Sequence, residues 1–347
     1  MTSILLVTDA WRPQINGVVR SLERTAEELQ ALGVRVEILS PQLFKTLPCP
    51  TYPEIRLSLA ATGKVRKLIR EYDCDHLHIA TEGPLGLLAA KVARKDGIAF
   101  TTSYHTRFPE YLSARLPVPL SWSYSWLRRF HNSGNGCMVA TQSLEDDLTA
   151  RGFKNLMRWS RGVDENLFHP YEGSVLDPNL EGPIFMNVGR VAVEKNIRAF
   201  LELELPGTKV VVGDGPQLDS LKREFPEVHF AGPKVGEELA RHYASADVFV
   251  FPSLTDTFGN VLLEALACGV PVAAYPVMGP VDVIGDSGAG VLSDNLQEAA
   301  LSALEIPRDH CRKIALRYTW EASARQFLDN AVRAQELFLS ERKASAA

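Results

Sequence analysis

Residues 3–39 read SILLVTDAWRPQINGVVRSLERTAEELQALGVRVEIL, and this stretch decides the fold. Ile4 to Thr8 is a short apolar run suited to a strand buried on both faces. After a loop containing Pro13 and Gly17, the apolar residues Val18, Leu22, Ala26 and Leu29 recur at helical spacing, and Gly33 can end that helix. Val34 to Leu39 is strand-like again. The order strand, helix, strand is the βαβ unit from which parallel sheets are built.

The pattern repeats on both sides of a break. Strands are expected at His76–Ala80, Ile98–Ser103, Met138–Thr141 and Leu156–Ser160, with helical segments such as Pro84–Lys95 between most of them. A second series follows at Ile184–Val188, Lys209–Val212, Val228–Ala231, Val248–Phe251 and Val270–Ala274. Arg161 to Pro183 carries three glycines and three prolines without periodicity, as a linker does. The expected fold class is therefore α/β, with two doubly wound domains at 1–165 and 166–347. The last helix, about 320–345, can pack on either half.

Composition narrows the function classes. The chain has 347 residues, 46% hydrophobic and 23% charged, with a formal net charge of -5, so nothing global favours nucleic acid. Cys49, Cys74, Cys137, Cys268 and Cys311 are scattered and form no Cys-x-x-Cys pair, which suits a reducing compartment. Ile4–Val7 is too short for a signal-peptide core, and Gly269, Pro271, Pro276, Gly279 and Pro280 interrupt the longest uncharged stretch. The expected location is cytoplasmic.

In open α/β sheets, ligands bind beyond the carboxyl ends of the strands. Directly after the Val248–Phe251 strand comes Ser253-Leu-Thr-Asp256-Thr-Phe258-Gly259-Asn260-Val-Leu-Leu-Glu264. Gly259 permits close approach of a ligand, and the unpaired amides of the following helical turn favour a phosphate or sugar oxygen. Glu264 lies among apolar neighbours, where a carboxylate needs donors that a ribose diol could supply. The bland alternative is that Asp256 caps the helix and Glu264 faces solvent. After the first strand of the second series stands Gly189-Arg190-Val-Ala-Val-Glu194-Lys195-Asn196, whose two cations could stabilise negative charge without a metal, the alternative being a surface loop with a Glu–Lys pair. Gly213-Asp214-Gly215-Pro216 forms a tight turn after a further strand, which could admit a nucleotide base.

In the first half, Asn16-Gly17 stands at a helix entrance, and His105 follows a strand within Ser103-Tyr104-His105-Thr106-Arg107-Phe108-Pro109-Glu110-Tyr111. Asp73-Cys74-Asp75 has the Asp-x-Asp form of metal-dependent transferases, but it precedes its strand and reads as a turn. His76 and His78 share a strand face without further ligands nearby, so no metal is expected. The loop after the first strand lacks the Gly-x-Gly-x-x-Gly fingerprint of dinucleotide binding.

The spacing of Asp256 and Glu264, the Gly-Arg…Glu-Lys-Asn segment and the His-Thr…Pro…Tyr segment together resemble glycosyltransferase family 4, the retaining enzymes of the GT-B fold. The order of these motifs along the chain is also the family's, although the first acid is aspartate where the family usually has glutamate. The resemblance implies two facing Rossmann-like domains, with the nucleotide sugar held mainly by the second and the acceptor by the first. On that basis His105, Arg190, Lys195 and Asp256 are the catalytic candidates. Gly17, Gly213, Asp214, Gly215, Phe258, Gly259, Asn260 and Glu264 are assigned to the donor, and Asp9, Asn16, Glu82, Arg107 and Tyr111 to the acceptor. The implied reaction moves a hexosyl group from a UDP- or GDP-sugar, with no metal or other cofactor. A sugar-nucleotide epimerase or phosphorylase, or a non-catalytic sugar-nucleotide sensor, are the alternatives. Four arginines and several aromatics between Arg107 and His131, together with Lys64, Arg66, Lys67 and Arg70, suit an anionic membrane surface and a lipid acceptor. A solvated helix face over core aromatics is the competing reading.

Overall fold

The computed structural model describes residues 2–14, 16–49, 52–113 and 118–346. It divides into two units, Met1–Arg161 with Trp320–Ala347, and Gly162–Thr319.

The first unit contains strands β1 (Ser3–Val7), β2 (Arg35–Leu39), β3 (Thr46–Cys49), β4 (Tyr52–Ser58), β5 (His76–Ile79), β6 (Phe100–Ser103), β7 (Gly136–Val139) and β8 (Leu156–Arg158). Six of them form a parallel sheet in the order β2-β1-β5-β6-β7-β8, while β3 and β4 make a separate antiparallel hairpin. All five residues of β1 are buried. Its side chains alternate between two cores: Leu5 and Val7 pack with Val65, Leu85 and Phe100, whereas Ile4 and Leu6 pack with Leu22, Leu29, Trp159 and Phe327.

Phe327 lies on the helix Trp320–Ala346, which packs on the helix Gly17–Ala31 and covers that face of the first sheet. The last helix is thus part of the first unit. The division falls at Arg161/Gly162 and not at 165/166, because Val163 forms a β-bridge with Thr319 and so already belongs to the second unit.

The second unit contains β9 (Ile184–Val188), β10 (Thr208–Val212), β11 (His229–Gly232), β12 (Val248–Phe251), β13 (Val272–Ala274) and β14 (Gly290–Leu292), ordered β11-β10-β9-β12-β13-β14 and all parallel. Its core joins Phe185, Val211, Val248 and Val250 to Ile197, Phe200, Leu296 and Ala300 from the flanking helices. From β9 the chain builds β10 and β11 to one side, then crosses to place β12 on the other. The carboxyl ends of β9 and β12 therefore form a topological switch point. In the first unit the same reversal lies between β1 and β5.

Candidate functional site

At the switch point of the second unit, the loops after β9 and β12 are tied together. Asn196, held at φ 52°, donates from Nδ2 to the Pro252 carbonyl at 3.0 Å. Thr255 Oγ1 donates to the Glu194 carbonyl at 3.3 Å, and Lys195 Nζ to Asp256 Oδ1 at 2.5 Å. The two side chains of this ion pair are 28% and 16% exposed, so Lys195 is held at the rim of the sheet with its stem covered. Asp256 therefore does not cap the helix. Its second oxygen, Oδ2, is buried without a hydrogen-bond partner among the described residues, as is Ser253 Oγ. Such orphaned acceptors and donors are costly in a finished core and mark a place where another polar group belongs.

The helix Asn260–Ala267 starts from Gly259, whose φ of 85° is open to glycine and strained for other residues. Gly259 has no side chain with which to cap this helix, whose positive end lies at the switch point. One turn further, Glu264 is 8% exposed, and its Oε2 accepts a 2.8 Å hydrogen bond from the Tyr243 hydroxyl. Tyr243 is fully buried on the helix Gly236–Ala244, against the rings of Phe168 and Phe249. The solvent-facing alternative for Glu264 is excluded. Tyr243 went unnoticed in the sequence because a tyrosine in a helix carries no pattern that distinguishes a carboxylate partner from a core filler.

Arg190 is half-buried on the loop that follows β9. Gly213 and Gly215 press against that loop: a Cβ on Gly213 would stand 1.9 Å from the Gly189 carbonyl oxygen, and one on Gly215 2.4 Å from that of Val191. These glycines thus have a packing duty, with the Val191 amide bonded to the Asp214 carbonyl at 2.9 Å. Phe258 is buried and meets Tyr318 edge-on at 6.3 Å.

In the first unit, His105 follows β6 and lies edge-on to Trp159, with ring centroids 5.7 Å apart. Burial, and then the Arg161 guanidinium, push its pKa well below the ordinary value, so the ring is neutral. Several acceptor-side candidates have structural duties. Asp9 is 5% exposed and accepts from the Leu85 and Gly86 amides at 2.9 and 3.1 Å, capping the helix Pro84–Asp96. Asn16 caps the helix Gly17–Ala31 by accepting from the Val18 and Val19 amides at 3.0 Å each, so the helix entrance at Gly17 already has an internal acceptor. Arg107 is paired with Glu110 at 2.7 Å.

Glu82 bonds the buried His131 at 3.0 Å. Burial opposes charge on that ring, yet Cys137 and the Glu82 carboxylate outweigh it and raise the pKa to about 10. Tyr111 lies on the helix Phe108–Ser113, with its side chain outside the described residues.

His78 is committed inside the first unit to Thr101 and Ser103, at 2.8 Å each. Among the described residues no group of three His, Cys, Asp or Glu is placed to hold a metal ion.

The basic helix Thr62–Tyr72 is largely self-satisfied: Arg66 and Arg70 each bond Asp96 at 3.0 Å, and Lys67 pairs with Glu71. The helix Leu120–His131 is different. Trp122 and Trp126 are 74% and 43% exposed at i,i+4 spacing, Arg128 and Arg129 are exposed beside them, and the helix has no acid. No helix among the described residues is long and apolar enough to cross a membrane.

Residues 15–167 match the family described as Glycosyltransferase Family 4, and residues 182–306 the one described as Glycosyl transferases group 1. A GDP-mannose-dependent alpha-mannosyltransferase of Corynebacterium glutamicum is 30% identical over 94% of this chain and 88% of its own length. An alpha-monoglucosyldiacylglycerol synthase of Streptococcus pneumoniae is 26% identical over 93% and 82%. Among solved structures, the sucrose-phosphate synthase of Thermosynechococcus elongatus aligns over 100% of both chains with a TM-score of 0.75 at 19% identity, a likeness of fold.

Proposed function

Starting from a chain that belongs to glycosyltransferase family 4, with the two Rossmann-like units of a GT-B enzyme, we propose that its second unit binds a UDP- or GDP-linked hexose at the β9/β12 switch point and that the sugar passes to a lipid acceptor with retention of anomeric configuration. The observation that carries this reading is the assembly of Lys195, Asp256 and the helix start at Gly259 at the carboxyl ends of two neighbouring strands. Breaking the glycosidic bond leaves a diphosphate whose charge grows in the transition state. Fixed cations and helix amides lower that barrier without reorganising. In this mechanism Arg190, Lys195 and the helix start near Gly259 and Asn260 receive the diphosphate, while Glu264, held in place by Tyr243, grips the ribose hydroxyls. Asp256 exchanges its contact with Lys195 for a sugar hydroxyl. Neutral His105 donates a hydrogen bond to the sugar. Cationic side chains take the place of a divalent metal.

The names of the relatives support mannose or glucose as the sugar, and a diacylglycerol-type or other lipid hydroxyl as the acceptor. The exposed Trp122 and Trp126 beside Arg128 and Arg129 support peripheral contact with an anionic bilayer, since indole rings favour the headgroup region. The test is to incubate the enzyme with GDP-mannose or UDP-glucose and lipid extract, in the presence of a chelator, and to follow nucleoside diphosphate release and the anomeric proton of the product. Lipid-dependent release with an α-linked product is expected. An inverted anomer overturns the retaining assignment, and no release with any hexose donor overturns the donor assignment.

A further inference from the structure

Arg161, the last residue of the first unit before the chain enters the second, sits in surroundings rare for a guanidinium. It is 4% exposed, and no carboxylate among the described residues pairs with it. Burial lowers its pKa to about 9. A buried charge is normally matched by a counter-charge, and an apolar side chain would fill the same space without the desolvation cost. This cation is instead held by its backbone and an indole. Nη1 donates to the carbonyls of Trp159 and Ser160 at 2.8 and 3.0 Å, and the guanidinium lies 4.0 Å from the centre of the Trp159 ring. So fixed, Nη2 stands 3.3 Å from Nδ1 of His105.

A guanidinium has five donors and no acceptor, so in this contact Nδ1 must accept. A neutral imidazole carries one proton, which then resides on Nε2. The geometry points to Arg161 as a positioning residue that locks His105 into the Nε2–H tautomer, making it a hydrogen-bond donor in the transfer reaction and removing it as a proton acceptor. This inference rests on the reading above that His105 serves the transferred sugar. It adds what sets the chemical form of that histidine. Trp159 completes the device by stacking under Arg161 and meeting the His105 ring edge-on, so both partners keep their orientation.

The experiment uses the full chain labelled with 15N in its histidines, with the His105 signals assigned by their loss in His105→Ala. In the wild type, Nε2 is protonated and Nδ1 is not. Arg161→Met keeps the stem on Trp159 but removes every donor. His105 then shifts to a mixture of tautomers, and kcat falls roughly tenfold or more while the donor KM changes far less, as expected when one oriented donor is lost. Arg161→Lys, which retains a donor and a charge, restores the spectrum and most of the rate. An unchanged His105 spectrum in Arg161→Met, or a wild-type proton on Nδ1, overturns the proposal; the wild-type spectrum decides even if Arg161→Met fails to fold. Full activity of His105→Ala would instead sink the role of His105 in transfer, whatever the tautomer proves to be.

Discussion

Lys195→Met separates the catalytic use of this cation from its structural use. In the free enzyme the side chain makes an ion pair with Asp256 at 2.5 Å, with the two partners 28% and 16% exposed. Partly solvated pairs of this kind are worth about 0.2–1 kcal/mol. Removing Lys195 also leaves the Asp256 carboxylate without this donor, and its Oδ2 already lacks a hydrogen-bond partner. That lone carboxylate adds to the loss, which partial solvation holds to about 1–2 kcal/mol, at roughly 2–4 °C in Tm per kcal/mol for a domain of this size. The kinetic cost is of another order. A fixed donor aimed at developing charge is worth roughly 10²–10³ in kcat, about 2.7–4 kcal/mol. The assay is nucleoside diphosphate release at saturating donor and acceptor, run beside thermal unfolding. In the double variant Lys195→Met/Asp256→Asn the stability losses should be less than additive, because the two residues share one contact, while the rate stays low. A kcat for Lys195→Met within about threefold of wild type would refute the reasoning. So would a collapse of Tm large enough to explain the lost rate by unfolding.

Tyr243→Phe removes the hydroxyl that serves a buried carboxylate and should cost about 1.5–3 kcal/mol in urea unfolding and raise the donor KM; an unchanged midpoint would contradict the contact. The His131–Glu82 pair gives a pH signature. His131 is raised in the folded state to about 10, so its stabilisation is complete below the unfolded value of roughly 6.5 and is lost as pH rises towards the folded one. Urea midpoints of wild type and His131→Gln should accordingly converge between about pH 6.5 and 10, and parallel curves would refute it. Trp122→Ser/Trp126→Ser should abolish flotation with anionic liposomes while leaving Tm within a few degrees, since both rings are exposed; undiminished flotation removes this face from membrane contact.

Much of the fold was legible because its strands are buried on both faces. Val248–Phe251 is a continuous apolar block and Ile184–Val188 is apolar but for Asn187, and the structure places both strands there residue for residue. The hairpin Thr46–Cys49 and Tyr52–Ser58 was missed because Pro48, Pro50 and Pro53 read as loop, and Gly290–Leu292 because three residues beginning with glycine carry no periodicity. The site was partly legible. The neighbourhood of Lys195 and Asp256 follows from two loops leaving adjacent strands, which a strand order implies. What each polar group bonds to does not follow from spacing. Asp9, assigned to the acceptor on the resemblance, is a helix cap, and the amides it meets lie 76 and 77 residues away. Arg161 was invisible because nothing in the run Ser160-Arg161-Gly162 shows that a charged side chain is buried.

The central claim is tested most directly by a crystal structure of the enzyme with the nucleoside diphosphate of its donor. The account predicts phosphate oxygens on Lys195, Arg190 and the backbone amides that open the helix at Gly259, with ribose hydroxyls on Glu264. Diphosphate bound elsewhere, with the Lys195–Asp256 pair undisturbed and no ribose hydroxyl on Glu264, would contradict it.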